Sequence, residues 1–203
     1  MGKAFRMGMV LARVLAVDGH SMFYAQQKVG WFFDPRRLLA LASNGEGVEL
    51  ASAFWYAGLK DPTDQRPFRD VLTGLGYTVR TKPLRELPSG SVGGGSGGGG
   101  SGWVGNGEPQ RHFTRANLDV EVAIDLLSVA DRTDEVWLLS GSRDLERLVE
   151  VLRARGLRTV LVSTEGMVAR ELRNAADQFV DLASLRPKLE KADAQQQPVF
   201  SRT

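Results

Sequence analysis

The chain has 203 residues, 42% of them hydrophobic and 25% charged, which is enough apolar material for one packed domain rather than two. It has no cysteine, which excludes disulfides, thiolate zinc sites and cysteine nucleophiles. With His20 and His112 as its 2 histidines, any metal would sit among carboxylates, a ligand set suited to Mg2+ or Mn2+. A net charge of +2 permits nucleic-acid binding without arguing for it, and the Val10 to Val17 run, broken by Arg13, is too short to span a membrane; a cytoplasmic protein is expected.

After an extension over residues 1–9, an apolar run predicts a strand from Ala12 to Val17, closed by Asp18 and Gly19. Helical spacing follows from Met22 to Val29 and from Arg36 to Ala42, then a strand from Val48 to Tyr56. Arg66 to Leu75 places Phe68, Val71, Leu72 and Leu75 on one helical face, with Gly76 as the stop signal before a strand from Tyr77 to Thr81. Residues 89–107 are almost wholly Gly and Ser. They are expected to form a flexible insertion, a surface loop or engineered linker rather than a phosphate cradle, because no Gly-Lys-Ser/Thr ending follows.

Leu118 to Ala130 is strongly amphipathic, with Val122, Ile124, Leu126, Leu127 and Val129, and a strand from Glu135 to Leu139 follows it. A helix from Asp144 to Arg155, a strand from Arg158 to Val162, a helix from Val168 to Ala176 and a strand from Gln178 to Leu182 continue the alternation. The domain is expected to cover residues 10–185, with a tail over 186–203. Strands alternating with helices of this length imply right-handed crossovers and a mostly parallel, doubly wound α/β sheet.

In such sheets ligands gather beyond the carboxyl ends of the strands, where the strand order switches. Asp18 closes the first strand there, although an aspartate before a helix is equally well read as an N-cap. Asp144 follows the strand ending at Leu139 and Ser140, and Asp119 opens its helix, where the macrodipole favours an acid in any case. Asp125 is a further candidate, but six residues on it is turned roughly 240° from Asp119 on an ideal helix. If the acids converge, a divalent cation would offset their repulsion, lower the pKa of a bound water and neutralise a phosphate, which is the chemistry of phosphodiester hydrolysis.

Lys28, Arg36, Arg37, Arg80, Lys82, Arg85, Arg111 and Arg115 could line a groove for a phosphate backbone, though solvated surface charge is the commoner role for each. Phe32, Phe33, Phe54, Trp55 and Tyr56 read as core from their context. Only Tyr24 and Trp31 are open to base stacking, and for both a packing role is favoured. A Rossmann-like small-ligand binder is disfavoured, since no Gly-x-Gly-x-x-Gly follows the first strand.

The run Val-Asp-Gly-His-Ser-Met-Phe-Tyr-Ala at residues 17–25 resembles the Val-Asp-Gly-x-Asn-Leu-Phe opening of NYN-domain proteins of the LabA-like group. Phe54-Trp55-Tyr56, Gln65, Phe68, Leu72, Gly76-Tyr77 and Thr81-Lys82-Pro83-Leu84 follow that group's middle section in order. Leu118-Asp119-Val120 through Asp125 is similar to its Val-Asp-Val helix, and Val136 to Leu145 to its Ser-Gly-Asp-Ser-Asp-Phe strand end. The resemblance implies a PIN-like, Rossmann-like three-layer α/β/α fold and a Mg2+- or Mn2+-dependent ribonuclease. Its acids would be Asp18, Asp119 and Asp144, with Asp125 as a further ligand, Ser21, Ser140 and Ser142 as supporting polar groups, and Arg80, Lys82, Arg115 and Arg143 facing RNA.

Two positions depart from the pattern: Ser21 stands where the group has Asn, and Ser142 replaces the first acid of its Asp-Ser-Asp triplet, with Arg143 beside it. A missing carboxylate and a nearby guanidinium weaken cation binding. The expectation is therefore an RNA-hydrolysing domain, with a catalytically impaired module that binds RNA or a protein partner as the alternative, and a homodimer as a possible assembly.

Overall fold

The computed structural model describes residues 10–61, 63, 65–87, 112–114 and 116–191, with side chains at 85–87 and 112–114 excepted. The expected N-terminal extension, the Gly/Ser insertion, Arg111, Arg115 and the end of the tail lie outside the described residues.

The chain enters on β1 (Leu11–Asp18), turns into α1 (Gly19–Val29) and α2 (Pro35–Ala42), and returns on β2 (Val48–Leu59). Asp18 and Asp34 cap the two helices through their side chains, and Pro35 occupies the first turn of α2, where its missing N–H costs nothing. Then come α3 (Arg66–Gly74) and β3 (Thr78–Pro83), followed by a small antiparallel ribbon of β4 (Arg85–Leu87) and β5 (His112–Thr114). The second half runs α4 (Asp119–Val129), β6 (Glu135–Leu139), α5 (Glu146–Ala154), β7 (Arg158–Ser163), α6 (Arg170–Ala175), β8 (Gln178–Asp181) and α7 (Arg186–Leu189).

Six strands form one parallel sheet in the order β3-β2-β1-β6-β7-β8, so the direction of winding reverses between β1 and β6. Alternation along β1 sends Val14 and Ala16 to one face and Leu15 and Val17 to the other. The first face is covered by α4, α5 and α6 through Val122, Leu126, Leu148, Leu152 and Leu172. The second is covered by α1, α2, α3 and α7 through Met22, Leu38, Leu72 and Leu189. The result is the three-layer α/β/α arrangement, with both sheet faces buried as parallel strands require.

Several boundaries differ from the expected ones. The expected Asp144 to Arg155 helix opens with a 3-10 turn, Arg143–Leu145, before α5 begins. Past residue 185 the chain still packs on the sheet: Leu189 is wholly buried, and Phe33 and Glu190 form a bridge that ties the end of α7 to the α1–α2 connection. No helix among the described residues is long and apolar enough to cross a membrane.

Candidate functional site

The register of β1 against β6 ends at Val17 opposite Leu139, so Asp18, still paired with Tyr56 of β2, and Ser140 stand side by side at the winding reversal. Asp18 Oδ2 accepts hydrogen bonds from the Ser140 hydroxyl at 2.9 Å and the Ser21 hydroxyl at 2.5 Å, while Oδ1 accepts the Ser21 N–H at 3.1 Å. The residue is thus both the cap of α1 and part of the site. Ser140 Oγ also accepts the Ser142 N–H at 3.1 Å, and the Ser142 hydroxyl donates to Asp119 Oδ2 at 3.0 Å. A continuous chain of hydrogen bonds therefore links Asp18 to Asp119 through two serines, and all four residues are buried.

Two local features aim Asp119 and Ser142 at each other. The Asp119 N–H donates to Asn117 Oδ1 at 2.9 Å, fixing the entry to α4. Gly141 lets the turn after β6 lie against the β7–α6 connection: a Cβ there would stand 2.1 Å from the Met167 carbonyl oxygen. The Ala169 N–H donates to the Gly141 carbonyl at 3.2 Å and holds that approach. Asn117 was not among the expected site residues, although an Asn two positions before a helix is a recognisable capping signal.

Asp144 lies outside this chain of hydrogen bonds. It is exposed in the Arg143–Leu145 turn, and among the described residues no three His, Asp or Glu side chains gather closely enough to hold a metal ion. Of the three expected acids, Asp18 and Asp119 are linked by hydrogen bonds, and from the turn at Gly141 it is the Ser142 hydroxyl that meets Asp119.

Asp125 is likewise committed elsewhere. Arg80 grips it with Nε and Nη2 at 3.0 and 2.9 Å, and the buried Tyr56 hydroxyl donates to Oδ2 at 3.3 Å. Burial, then the charge of Asp125, pushes the Tyr56 hydroxyl well above its ordinary pKa, so it stays a donor. This triad pins α4 to β2 and β3, six residues along the helix from Asp119, on the side that the 240° rotation anticipates.

The expected RNA-facing cations are engaged in the same way. Lys82 pairs with Glu121 at 2.5 Å and donates to the Asn117 carbonyl at 3.3 Å, and Arg143 pairs with Glu171 at 3.5 Å. Lys28 donates to the Glu165 carbonyl at 2.6 Å. Of the two aromatics open to stacking, Trp31 is buried at 4% exposure, and Tyr24 stands on the surface at 46%.

The donor set of the pair is entirely hard oxygen: two buried carboxylates with three serine hydroxyls around them. Mg2+ and Mn2+ are held by one or two such carboxylates, the remaining positions being water and substrate phosphate, so these residues fit a divalent cation and fit no thiophilic metal.

Comparison with known proteins agrees with this architecture. Residues 13–184 match the NYN domain family. The chain is 50% identical over 177 residues, 87% of each chain, to the Low amplitude and bright protein LabA of Synechococcus elongatus. A crystal structure of a protein of unknown function from Vibrio parahaemolyticus shares the fold, with a TM-score of 0.63 at 24% identity over 88% of this chain and 96% of that one. On these matches the chain belongs to the NYN domain family, a PIN-like, nuclease-type domain that is generally metal-dependent.

Proposed function

We propose that this NYN domain hydrolyses RNA phosphodiesters at the Asp18–Asp119 pair with Mg2+ or Mn2+ bound. The observation that supports the reading is the pairing of the two buried carboxylates through Ser140 and Ser142 at the winding reversal of the sheet. Asp18 and Asp119 would hold the cation. When bound, such a cation lowers the pKa of a coordinated water and neutralises charge on the phosphate. Ser21, Ser140 and Ser142 restrict the carboxylate rotamers by donating to them, so that both acids keep one geometry between turnovers. The parallel strands around the pair exclude water from its underside, since Val17, Leu139 and Ser140 are wholly buried.

A second reading, a catalytically impaired module that binds RNA or a protein in a regulatory role, draws on one residue. Ser142 stands where the family pattern has an acid, and it gives Asp119 a hydrogen bond instead of a third negative charge.

Cleavage of a fluorogenic RNA with Mg2+, Mn2+ or EDTA, run beside Asp18→Asn, separates the two. Asparagine caps a helix as well as aspartate does, so the variant keeps α1 while losing the charge and one of the two acceptor oxygens. Hydrolysis that needs metal and disappears in Asp18→Asn supports the first reading; hydrolysis unchanged in the variant rejects it. A wild-type chain that binds RNA without cutting it, and gains activity on Ser142→Asp, supports the second.

A further inference from the structure

Three helices, α4, α5 and α6, cover one face of the sheet, and two of them turn charge toward solvent. On α5, Arg147 pairs with Glu150 and Arg153 with Asp177; on α6, Arg173 pairs with Glu165 and Glu171 with Arg143. Helix α4 differs. Val122, Leu126 and Val129 point inward from it, while Val120, Ile124 and Leu127 follow one another at intervals of four and three on the opposite side. Ile124 at 62% and Val120 at 60% are the most exposed large apolar side chains among the described residues, and Leu127 is half-buried beside them. The acids of the helix do not interrupt this stripe: Asp119 is buried, Asp125 turns to Arg80 and Glu121 to Lys82.

A surface helix ordinarily presents polar side chains on its outer side, so an apolar stripe there marks a face that another surface covers. Charge selects the occupant. The stripe is neutral along its length and carries one acid and one base at each end: Glu121 and Lys82 at the start of α4, Asp131 and Arg132 just past its last residue. An antiparallel copy of the same helix sets Asp131 and Arg132 of one chain against Lys82 and Glu121 of the other, complementary in side-chain charge and in helix dipole alike. With a net charge of +2 on the whole chain, two copies approach with little overall repulsion.

We propose that α4 is a self-association face, on which a second copy of this chain packs its own α4 about a two-fold axis passing near Ile124. Such an interface is isologous, so Ile124 meets its own counterpart and Val120 lies opposite Leu127. Asp119 is five residues from Ile124, which places the two acid pairs of the dimer roughly 15 Å apart along the seam. The face of an 11-residue helix, about 16 Å long and about 10 Å wide, falls short of the roughly 800 Å2 per partner of a standard interface. Association is therefore reversible and concentration-dependent.

The test is sedimentation velocity of the full chain from low to high micromolar concentration, with circular dichroism and thermal unfolding to establish that each variant is folded. The wild type is expected to move from monomer toward dimer as concentration rises. Ile124→Glu and Ile124→Lys, changes at an exposed position, are each expected to weaken association roughly tenfold or more while leaving unfolding unchanged. An equimolar mixture of the two variants should recover the dimer, because opposite charges then meet at the axis. A wild type that stays monomeric throughout overturns the proposal and gives the stripe to another occupant, the chain's own residues 88–111 or a different protein. A dimer indifferent to Ile124, or a mixture no more associated than either variant alone, overturns it as well. Mass is the only readout, so the outcome is independent of whether the domain cleaves RNA.

Discussion

Replacing Gly141 by alanine tests the geometry on which the acid pair depends. The added methyl would lie 2.1 Å from the Met167 carbonyl oxygen and 3.2 Å from its carbon. Both are backbone atoms, so no flexible side chain can swing aside, and the Ala169 to Gly141 hydrogen bond resists separation of the two segments. Overpacking of this kind costs about 1–3 kcal/mol. For a domain of this size that corresponds to a fall in Tm of roughly 2–12 °C. Because the turn also carries Ser140 and Ser142, the displacement should release their hydroxyls from Asp18 and Asp119 and reduce hydrolysis by more than the stability loss explains. Thermal unfolding and RNA cleavage well below Tm measure the two effects. A variant as stable as the wild type, with unchanged cleavage, would refute the close approach and the role assigned to the turn.

Two further predictions concern the charges that hold the sheet together. Glu135, 2% exposed, accepts Arg13 Nε at 2.6 Å and the Trp137 indole N–H at 2.8 Å, so Glu135→Ala strands a buried guanidinium and is predicted to cost about 3–5 kcal/mol in urea unfolding; a loss under about 1 kcal/mol would contradict this. Burial alone would raise the Asp177 carboxyl pKa, but hydrogen bonds from the Thr159 N–H and hydroxyl, together with Arg153, outweigh it and hold the group below its ordinary value. A depressed folded-state pKa contributes stability above the unfolded value and loses it as pH falls through the folded one. Asp177→Asn should therefore destabilise the domain at neutral pH by a margin that narrows on acidification, and a margin independent of pH would rule out this linkage.

The inner strands β1, β6 and β7 were legible because parallel strands covered on both faces are apolar runs between breakers, while the edge strands β3 and β8 are short and little buried and were read from the alternation with helices. Asp18 and Asp119 could be placed because each ends or begins an element, so their position follows from the element itself. That the Ser142 hydroxyl meets Asp119 could not be read, since it depends on Gly141 meeting Met167, a contact between separate connections that local spacing does not encode. The rotation of Asp125 away from Asp119 was readable from helix periodicity, but its partner Arg80 lies 45 residues earlier, on a strand whose register only the fold reveals. Similarly, the sequence left Tyr24 and Trp31 equally open to stacking, and the αL turn at Gly30 that ends α1 separates them, one on the helix surface and one in the core. The three-residue strands β4 and β5 carry too little periodicity to be seen, as they lie on either side of the Gly/Ser-rich segment.

Mn2+ titration followed by electron paramagnetic resonance tests, without reference to any substrate, the proposal that Asp18 and Asp119 together bind a hard divalent cation. Mn2+ is expected to occupy a site in the wild type that is weakened roughly tenfold or more in both Asp18→Asn and Asp119→Asn, and left intact in Asp125→Asn, whose acid is held by Arg80. Mn2+ binding that is indifferent to Asp18 and Asp119, or that depends on Asp125 instead, would contradict it.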